Sequence, residues 1–256
     1  MGIDILNLTE IDFDSLKNVT IFFGHQSVGQ DIVLGMAEHV KEDGHGTLKI
    51  VESATLDDLQ SGTLVHCNIG RNTRPLSKIR AFKRALAGAT DVRVDIALMK
   101  FCYVDVTHDS NPQEIFDVYS EAMSELKDEF PETVFVHVTV PIEAMPRGAE
   151  GVVKHFIKRV IGRPGVVEDN RVRQQYNVLL RDHYSGKEPV FDLAEFESLD
   201  AAGCATVRMV QGEGILFMDP EKTEDGGHLN GGGRTTIGGE LLAFLGAIAG
   251  ERELKE

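Results

Sequence analysis

The chain has 256 residues, 42% hydrophobic and 26% charged, values typical of a globular protein rather than a disordered one. Its 41 acidic and 26 basic residues give a formal net charge of −15. Phosphate backbones and anionic lipids are held by clustered lysine and arginine, so this charge disfavours nucleic acid and membrane surfaces as partners.

The length favours a single domain over residues 1–256. Three cysteines without metal-ligand spacing indicate free thiols in a reducing compartment, with one disulfide as the alternative. No signal-like apolar segment opens the sequence, and no apolar run is long enough to cross a bilayer. We therefore expect a cytoplasmic protein, or a secreted one if a leader has been removed.

Apolar runs that predict buried strands alternate with amphipathic runs that predict helices. Strands are predicted at 19–23, 48–53, 94–101, 133–140 and 189–193, and helices at 29–42, 75–88, 111–130, 169–184 and 235–250. This alternation predicts a mainly parallel sheet covered by helices on both faces, with ligands at the carboxyl ends of the strands. Two segments, 141–153 and 195–230, are predicted to be long loops, where binding residues often lie.

The first segment whose residues could take part in binding or catalysis is IFFGHQSVGQDI at 21–32. Gly24 and Gly29 fit the Gly-x-x-x-x-Gly half of a phosphate-binding loop, but Gln30 and Asp31 stand where lysine and serine or threonine are required. A phosphate cradle is therefore disfavoured. Two interpretations remain for Ser27: a turn residue that caps a helix, or a nucleophile.

A serine nucleophile needs an oriented base, and the segment EDGGHLNGGG at 224–233 offers one. Asp225 and His228 are three residues apart, which on a near-helical turn places carboxylate and imidazole on the same side. The carboxylate could fix the tautomer through Nδ1 and leave Nε2 for Ser27. The alternative is an ordinary glycine-rich surface turn.

An apolar strand ending in Gly-x-x-Ser, together with a late Asp-Gly-x-His-Leu segment before a last helix, resembles the SGNH/GDSL hydrolase family. The resemblance extends from Val19 onward and implies a flavodoxin-like three-layer α/β/α sandwich. It also implies an oxyanion-hole glycine after the second strand, where HCNIGRN supplies Gly70, with Asn72 nearby. In the third block, Cys102 and Val104 replace the glycine and the asparagine of the family.

The serine block also departs from the family, because it reads GHQS rather than Gly-Asp-Ser. A rigid alignment places Gln26 at the serine position, and one inserted residue brings Ser27 there instead. Glutamine is not a nucleophile, so we expect Ser27 to be the reactive residue. The rival reading is a degenerate ligand-binding protein that keeps the fold and has lost the chemistry.

The resemblance implies a hydrolase that cleaves a small carboxylic ester, with an O-acetyl carbohydrate as one candidate substrate, and that needs no metal or cofactor. Backbone N–H groups of Ser27 and Gly70 would bind the oxyanion, with Asn72 as the first and Lys100 as the second choice for a third donor. Further candidates for the substrate pocket are His25, Gln26, Lys100, Cys102 and Tyr103.

One more segment has two interpretations. RNTRPLSKIRAFKR at 71–84 is the densest basic run of the chain. A solvated helix face is the commoner meaning of such a pattern, and a local patch for an anionic partner is the alternative.

Overall fold

The computed structural model describes residues 10–44, 46, 48–89, 92–147 and 165–254. Its strands are β1 (Thr20–His25), β2 (Lys49–Glu52), β3 (Thr63–Asn68), β4 (Ile96–Met99), β5 (Val134–Val138), β6 (Val190–Phe191), β7 (Val207–Val210) and β8 (Glu213–Leu216). Its helices are α1 (Phe13–Leu16), α2 (Val28–Asp43), α3 (Pro75–Ala87), α4 (Pro112–Glu129), α5 (Val166–Tyr184), α6 (Leu193–Ser198) and α7 (Gly231–Glu253).

Six parallel strands form the central sheet in the order β2-β3-β1-β4-β5-β6. Without the edge strand β2, this is the strand order of a flavodoxin-like sheet. The neighbours of β1 on its two sides are β3 and β4, so the chain changes direction across the sheet at β1. Ligands of such sheets bind at this switch point, beyond the carboxyl end of the strand.

Successive side chains of β1 point to opposite faces of the sheet, which builds the three layers. Ile21 and Phe23 pack into an apolar cluster with α2 and α7, whereas Phe22 packs with α3, α4 and α5 and stacks on Phe82 at 5.5 Å. The structure thus confirms the predicted parallel sheet with helices on both faces.

Helices α2 and α7 approach each other unusually closely because both carry glycine at the contact. A Cβ atom on Gly35 would lie 1.8 Å from the carbonyl oxygen of Arg234, and one on Gly238 would lie 2.5 Å from the amide nitrogen of Met36. Only a residue without a side chain fits at either position. This contact fixes the start of α7 beside α2.

Two predictions from the sequence were wrong. The strand β3 was missed, because its apolar run is short and ends in His66, Cys67 and Asn68. The segment 195–230, predicted as a loop, contains part of α6 and the antiparallel hairpin β7-β8. Three of the four residues of β7 are exposed, so the sequence has no buried alternation that would indicate a strand.

Of the other predicted long loop, residues 141–147 have no regular structure, and 148–153 lie outside the described residues. Cys67, Cys102 and Cys204 are all free thiols. No helix in the described part of the chain combines the length and the apolarity needed to cross a bilayer.

Candidate active site

Ser27 is the second residue after the end of β1 and occupies the position before the first turn of α2. Its backbone has φ 34° and ψ −98°, a conformation that serine rarely adopts and that the surrounding structure must impose. The hydroxyl does not cap the helix. Instead, Ser27 Oγ lies 3.0 Å from His228 Nε2.

Gln26, the rival at this turn, has a different environment. Its Nε2 donates to the carbonyl oxygens of Ile69 and Gly70 at 3.2 and 3.3 Å, so the side chain fastens the turn after β1 to the loop after β3. The turn is tight, because a Cβ atom on Gly29 would lie 2.3 Å from the Cβ of His25. Of the two residues, Ser27 is the one that faces His228.

His228 is oriented from its other side by Asp225. Its Nδ1 lies 2.7 Å from Asp225 Oδ2, while Asp225 Oδ1 accepts the backbone N–H groups of His228 and Gly227 at 2.8 and 2.9 Å. Partial burial opposes ionisation of the carboxyl, but these backbone and ring hydrogen bonds outweigh it and lower the pKa of Asp225 to about 2. The carboxylate is therefore ionised at neutral pH and can hold the proton on Nδ1.

The loop that carries His228 is attached to the first turn of α2 through Asp31. Asp31 Oδ2 accepts the backbone N–H of Leu229 at 3.3 Å, and Oδ1 pairs with Arg234 at 2.9 Å. Sequence analysis gave Asp31 no role here, because an ion pair between residues 31 and 234 leaves no local pattern. The same turn of α2 thus supports both Ser27 and the histidine loop.

Tyr103, a candidate pocket residue, lies beside His228. Its ring meets that of His228 edge-on at 5.7 Å, and burial raises the pKa of Tyr103 to about 12, so its hydroxyl stays protonated. Arg173 contacts this tyrosine twice: its Nε donates to the Tyr103 carbonyl at 2.9 Å, and its guanidinium carbon lies 5.6 Å from the ring centroid. The sequence gave no indication of Arg173.

The loop after β3 brings Gly70 next to the end of β1, since the N–H of Ile69 donates to the His25 carbonyl at 2.9 Å. Gly70 has φ 59°, and a Cβ atom there would lie 2.6 Å from the amide nitrogen of Lys78. Asn72 is exposed, and its Oδ1 accepts from Lys78 Nζ at 2.9 Å. Within the described residues its Nδ2 has no hydrogen-bond partner.

A buried ionic pair lies under this loop. Lys78 and Asp105 are 0% and 3% exposed, and Lys78 Nζ donates to Asp105 Oδ2. The same carboxylate oxygen accepts the N–H of Cys102 at 2.7 Å. Neither Lys78 nor Asp105 was singled out from the sequence.

Three predicted pocket residues lie in the interior instead, since His25, Lys100 and Cys102 are each 0% exposed. His25 Nε2 is 3.0 Å from His66 Nδ1, and burial, with the His66 charge next, lowers the pKa of His25 to about 3. Lys100 donates to the Phe101 carbonyl at 3.0 Å, and burial lowers its pKa. A substrate at Ser27 cannot touch these side chains in this arrangement.

No protein-family model matches the chain, and no curated protein matches its sequence. Solved structures do match. A GDSL-like lipase from Bacteroides thetaiotaomicron superposes with a TM-score of 0.53 at 12% identity, over 93% of this chain and 90% of that chain. A candidate acylhydrolase from Bacteroides fragilis gives 0.51 at 12% identity, over 96% and 93%.

A third match is a candidate GDSL-like lipase from Parabacteroides merdae, with a TM-score of 0.51 at 12% identity over 91% of this chain and 97% of that chain. At such identities the likeness concerns the fold. The chain thus adopts the fold of the SGNH/GDSL hydrolases, a three-layer α/β/α sandwich, as the resemblance of its serine and histidine segments predicted.

Proposed function

We propose that the protein is a serine ester hydrolase that cleaves a small carboxylic ester through an acyl-enzyme. The observation that carries the proposal is the 3.0 Å approach of Ser27 Oγ to His228 Nε2, with Asp225 on the far side of the ring. These three side chains meet at the carboxyl end of β1, where a sheet of this topology binds its ligands. The lipases and acylhydrolases among its structural neighbours agree with this chemistry.

In the proposed reaction, Ser27 Oγ attacks the ester carbonyl while His228 Nε2 takes its proton. The protonated ring is stabilised by the Asp225 carboxylate, which stays ionised because of its low pKa. His228 then returns the proton to the departing alcohol. In the second half, His228 takes a proton from a water molecule that attacks the acyl-enzyme carbonyl, and it passes this proton to Ser27 Oγ as the carboxylic acid leaves.

The negative charge on the carbonyl oxygen would be bound by the backbone N–H groups of Ser27 and Gly70, with Asn72 Nδ2 as the third donor. Gln26 supports this assignment, because its hydrogen bonds fasten the Gly70 loop to the turn that carries Ser27. Lys78 also supports this assignment, because its Nζ donates to Asn72 Oδ1 and leaves Asn72 Nδ2 available to a ligand. Donors that are fixed in advance stabilise the transition state without reorganisation.

Asn72→Asp is expected to lower kcat by about 100-fold with little change in KM, since it removes one oxyanion donor. The substitution is specific, because an aspartate oxygen can still accept the hydrogen bond from Lys78 while the N–H donor is lost. Steady-state hydrolysis of p-nitrophenyl acetate measures both constants. If the Asn72→Asp variant keeps the wild-type kcat, Asn72 is not an oxyanion donor.

Covalent labelling tests the proposed function directly. The wild-type protein is expected to hydrolyse p-nitrophenyl acetate and to react with a fluorophosphonate at Ser27, because only a serine activated by a base attacks phosphorus readily. Peptide mass spectrometry locates the label. A label on another residue would overturn the nucleophile assignment, and neither label nor hydrolysis would favour the ligand-binding alternative.

A further inference from the structure

A cleft of about 740 Å³ opens beside Gly70, along α3 from Pro75 to Arg84 and against the first turn of α4. Four arginines line it, Arg71, Arg74, Arg80 and Arg84. One carboxylate, Glu114 on α4, lines it as well. The cleft is thus strongly basic, in a chain whose formal net charge is −15.

None of the four guanidinium groups forms an ion pair with a carboxylate in the described part of the chain. Most other arginines there do, namely Arg93, Arg147, Arg171, Arg173, Arg181, Arg234 and Arg252. Unpaired like charges that face one cleft repel each other, and a bound anion relieves that repulsion. Most of the positive charge in the cleft therefore has no counterion within the described residues, and such a cleft favours a bound anion.

The backbone adds to this preference. Arg80 and Arg84 are one helical turn apart and lie on the side of α3 that faces the cleft. Helix α3 has 13 residues, and the residue before its first turn, Arg74, provides no side-chain cap. The positive end of the helix dipole at this turn also favours an anion.

We propose that the cleft binds an anionic part of the ester, either a phosphate group or carboxylate groups carried by its alcohol. This inference rests on the proposed ester hydrolysis. Gly70 links the two sites, because it lines the cleft and is also a candidate oxyanion donor. An ester with its carbonyl at Ser27 can therefore extend its alcohol into the cleft, where planar guanidinium groups pair with phosphate or carboxylate in bidentate fashion.

The test compares neutral and anionic esters. The substrates are 6-O-acetylglucose, 6-O-acetylglucose 1-phosphate and an O-acetylated oligogalacturonate. The wild type is expected to prefer one anionic ester over the neutral sugar by at least about tenfold in kcat/KM at low salt. The phosphate and the galacturonate arms distinguish the two sources of charge. No preference for either anionic ester in an active enzyme would overturn the proposal.

Arg80→Glu and Arg84→Glu are expected to abolish this preference by raising the KM of the anionic esters. Arg208→Glu is the matched control, because Arg208 is exposed on β7, lies outside the cleft and undergoes the same charge reversal. It is expected to keep the preference. Equal losses on neutral and anionic esters would also refute the proposal.

A binding experiment separates this inference from the proposed function. Ser27→Ala is titrated by calorimetry with inorganic phosphate, glucose 1-phosphate and oligogalacturonate, which requires no hydrolysis. Saturable binding that Arg80→Glu abolishes and Arg208→Glu retains would support the cleft even if the wild type cleaves no ester. An active wild type whose Ser27→Ala form binds none of the three would refute the cleft and leave ester hydrolysis standing.

Discussion

Ser27→Ala is expected to lower kcat for p-nitrophenyl acetate by about 10⁵-fold, since the other parts of such a site retain only a small residual rate without the nucleophile. The fold should persist, because among the described residues the Ser27 hydroxyl hydrogen-bonds only to His228 and does not cap α2. Steady-state kinetics measures the loss, and far-ultraviolet circular dichroism checks the fold. Hydrolysis at the wild-type rate would exclude Ser27 as the nucleophile.

Related variants make the result specific. His228→Ala should lose about as much as Ser27→Ala, and the double variant little more, because nucleophile and base act as a unit. Asp225→Asn should lose less, because the Asp225 side chain is 58% exposed and water can take over part of its role. Ser120→Ala is the control, since its hydroxyl donates to the Asp117 carbonyl on α4 and is expected to leave kcat unchanged.

Asp105→Asn is expected to lower the free energy of unfolding by about 3–5 kcal/mol, because it leaves a buried cation without its counterion. Lys78 is 0% exposed, and Asp105 is the carboxylate to which its Nζ donates. Asparagine retains an oxygen for the Cys102 N–H, so the lost energy reports mainly on the charge. Urea denaturation measures the change as a lower midpoint at a constant slope.

The control for Asp105 is a surface pair of the same kind. Glu125 pairs with Lys83, and its side chain is 56% exposed, so Glu125→Gln is expected to cost less than about 1 kcal/mol. If the two substitutions lower the free energy of unfolding equally, burial of the Lys78–Asp105 pair does not increase its contribution to stability. A large loss in Asp105→Asn alone would mark this pair as a support of the Gly70 loop.

The architecture was predictable from the sequence because buried parallel strands and amphipathic helices each leave a periodic pattern. The strand β3 escaped detection, because its second half carries polar side chains. One of them, His66, is buried against His25, and a sequence gives no sign of such a pairing. Polar residues that bury each other do so in the tertiary structure, and this leaves no apolar periodicity in the sequence.

The approach of Ser27 to His228 was also predictable, because serine and histidine, with an aspartate three residues before the histidine, are the residue types that a site of this kind needs. The sequence favoured Ser27 over Gln26 only because glutamine is not a nucleophile. The backbone geometry that directs Ser27 towards His228, with a φ of 34°, leaves no local pattern in the sequence. His25, Lys100 and Cys102 were placed in the pocket because they lie near strand ends. The direction in which each side chain leaves the backbone buries them instead.

The glycine contact between α2 and α7 has a consequence for the order of synthesis. Ser27 and His228 are 201 residues apart in the chain, and the histidine immediately precedes the helix that Gly238 allows to dock against Gly35. A growing polypeptide therefore carries Ser27 without a partner until α7 has left the ribosome. Docking of the last helix is both a folding step and the step that unites the two halves of the site, so under the proposed mechanism an unfinished chain would lack the base that activates its serine.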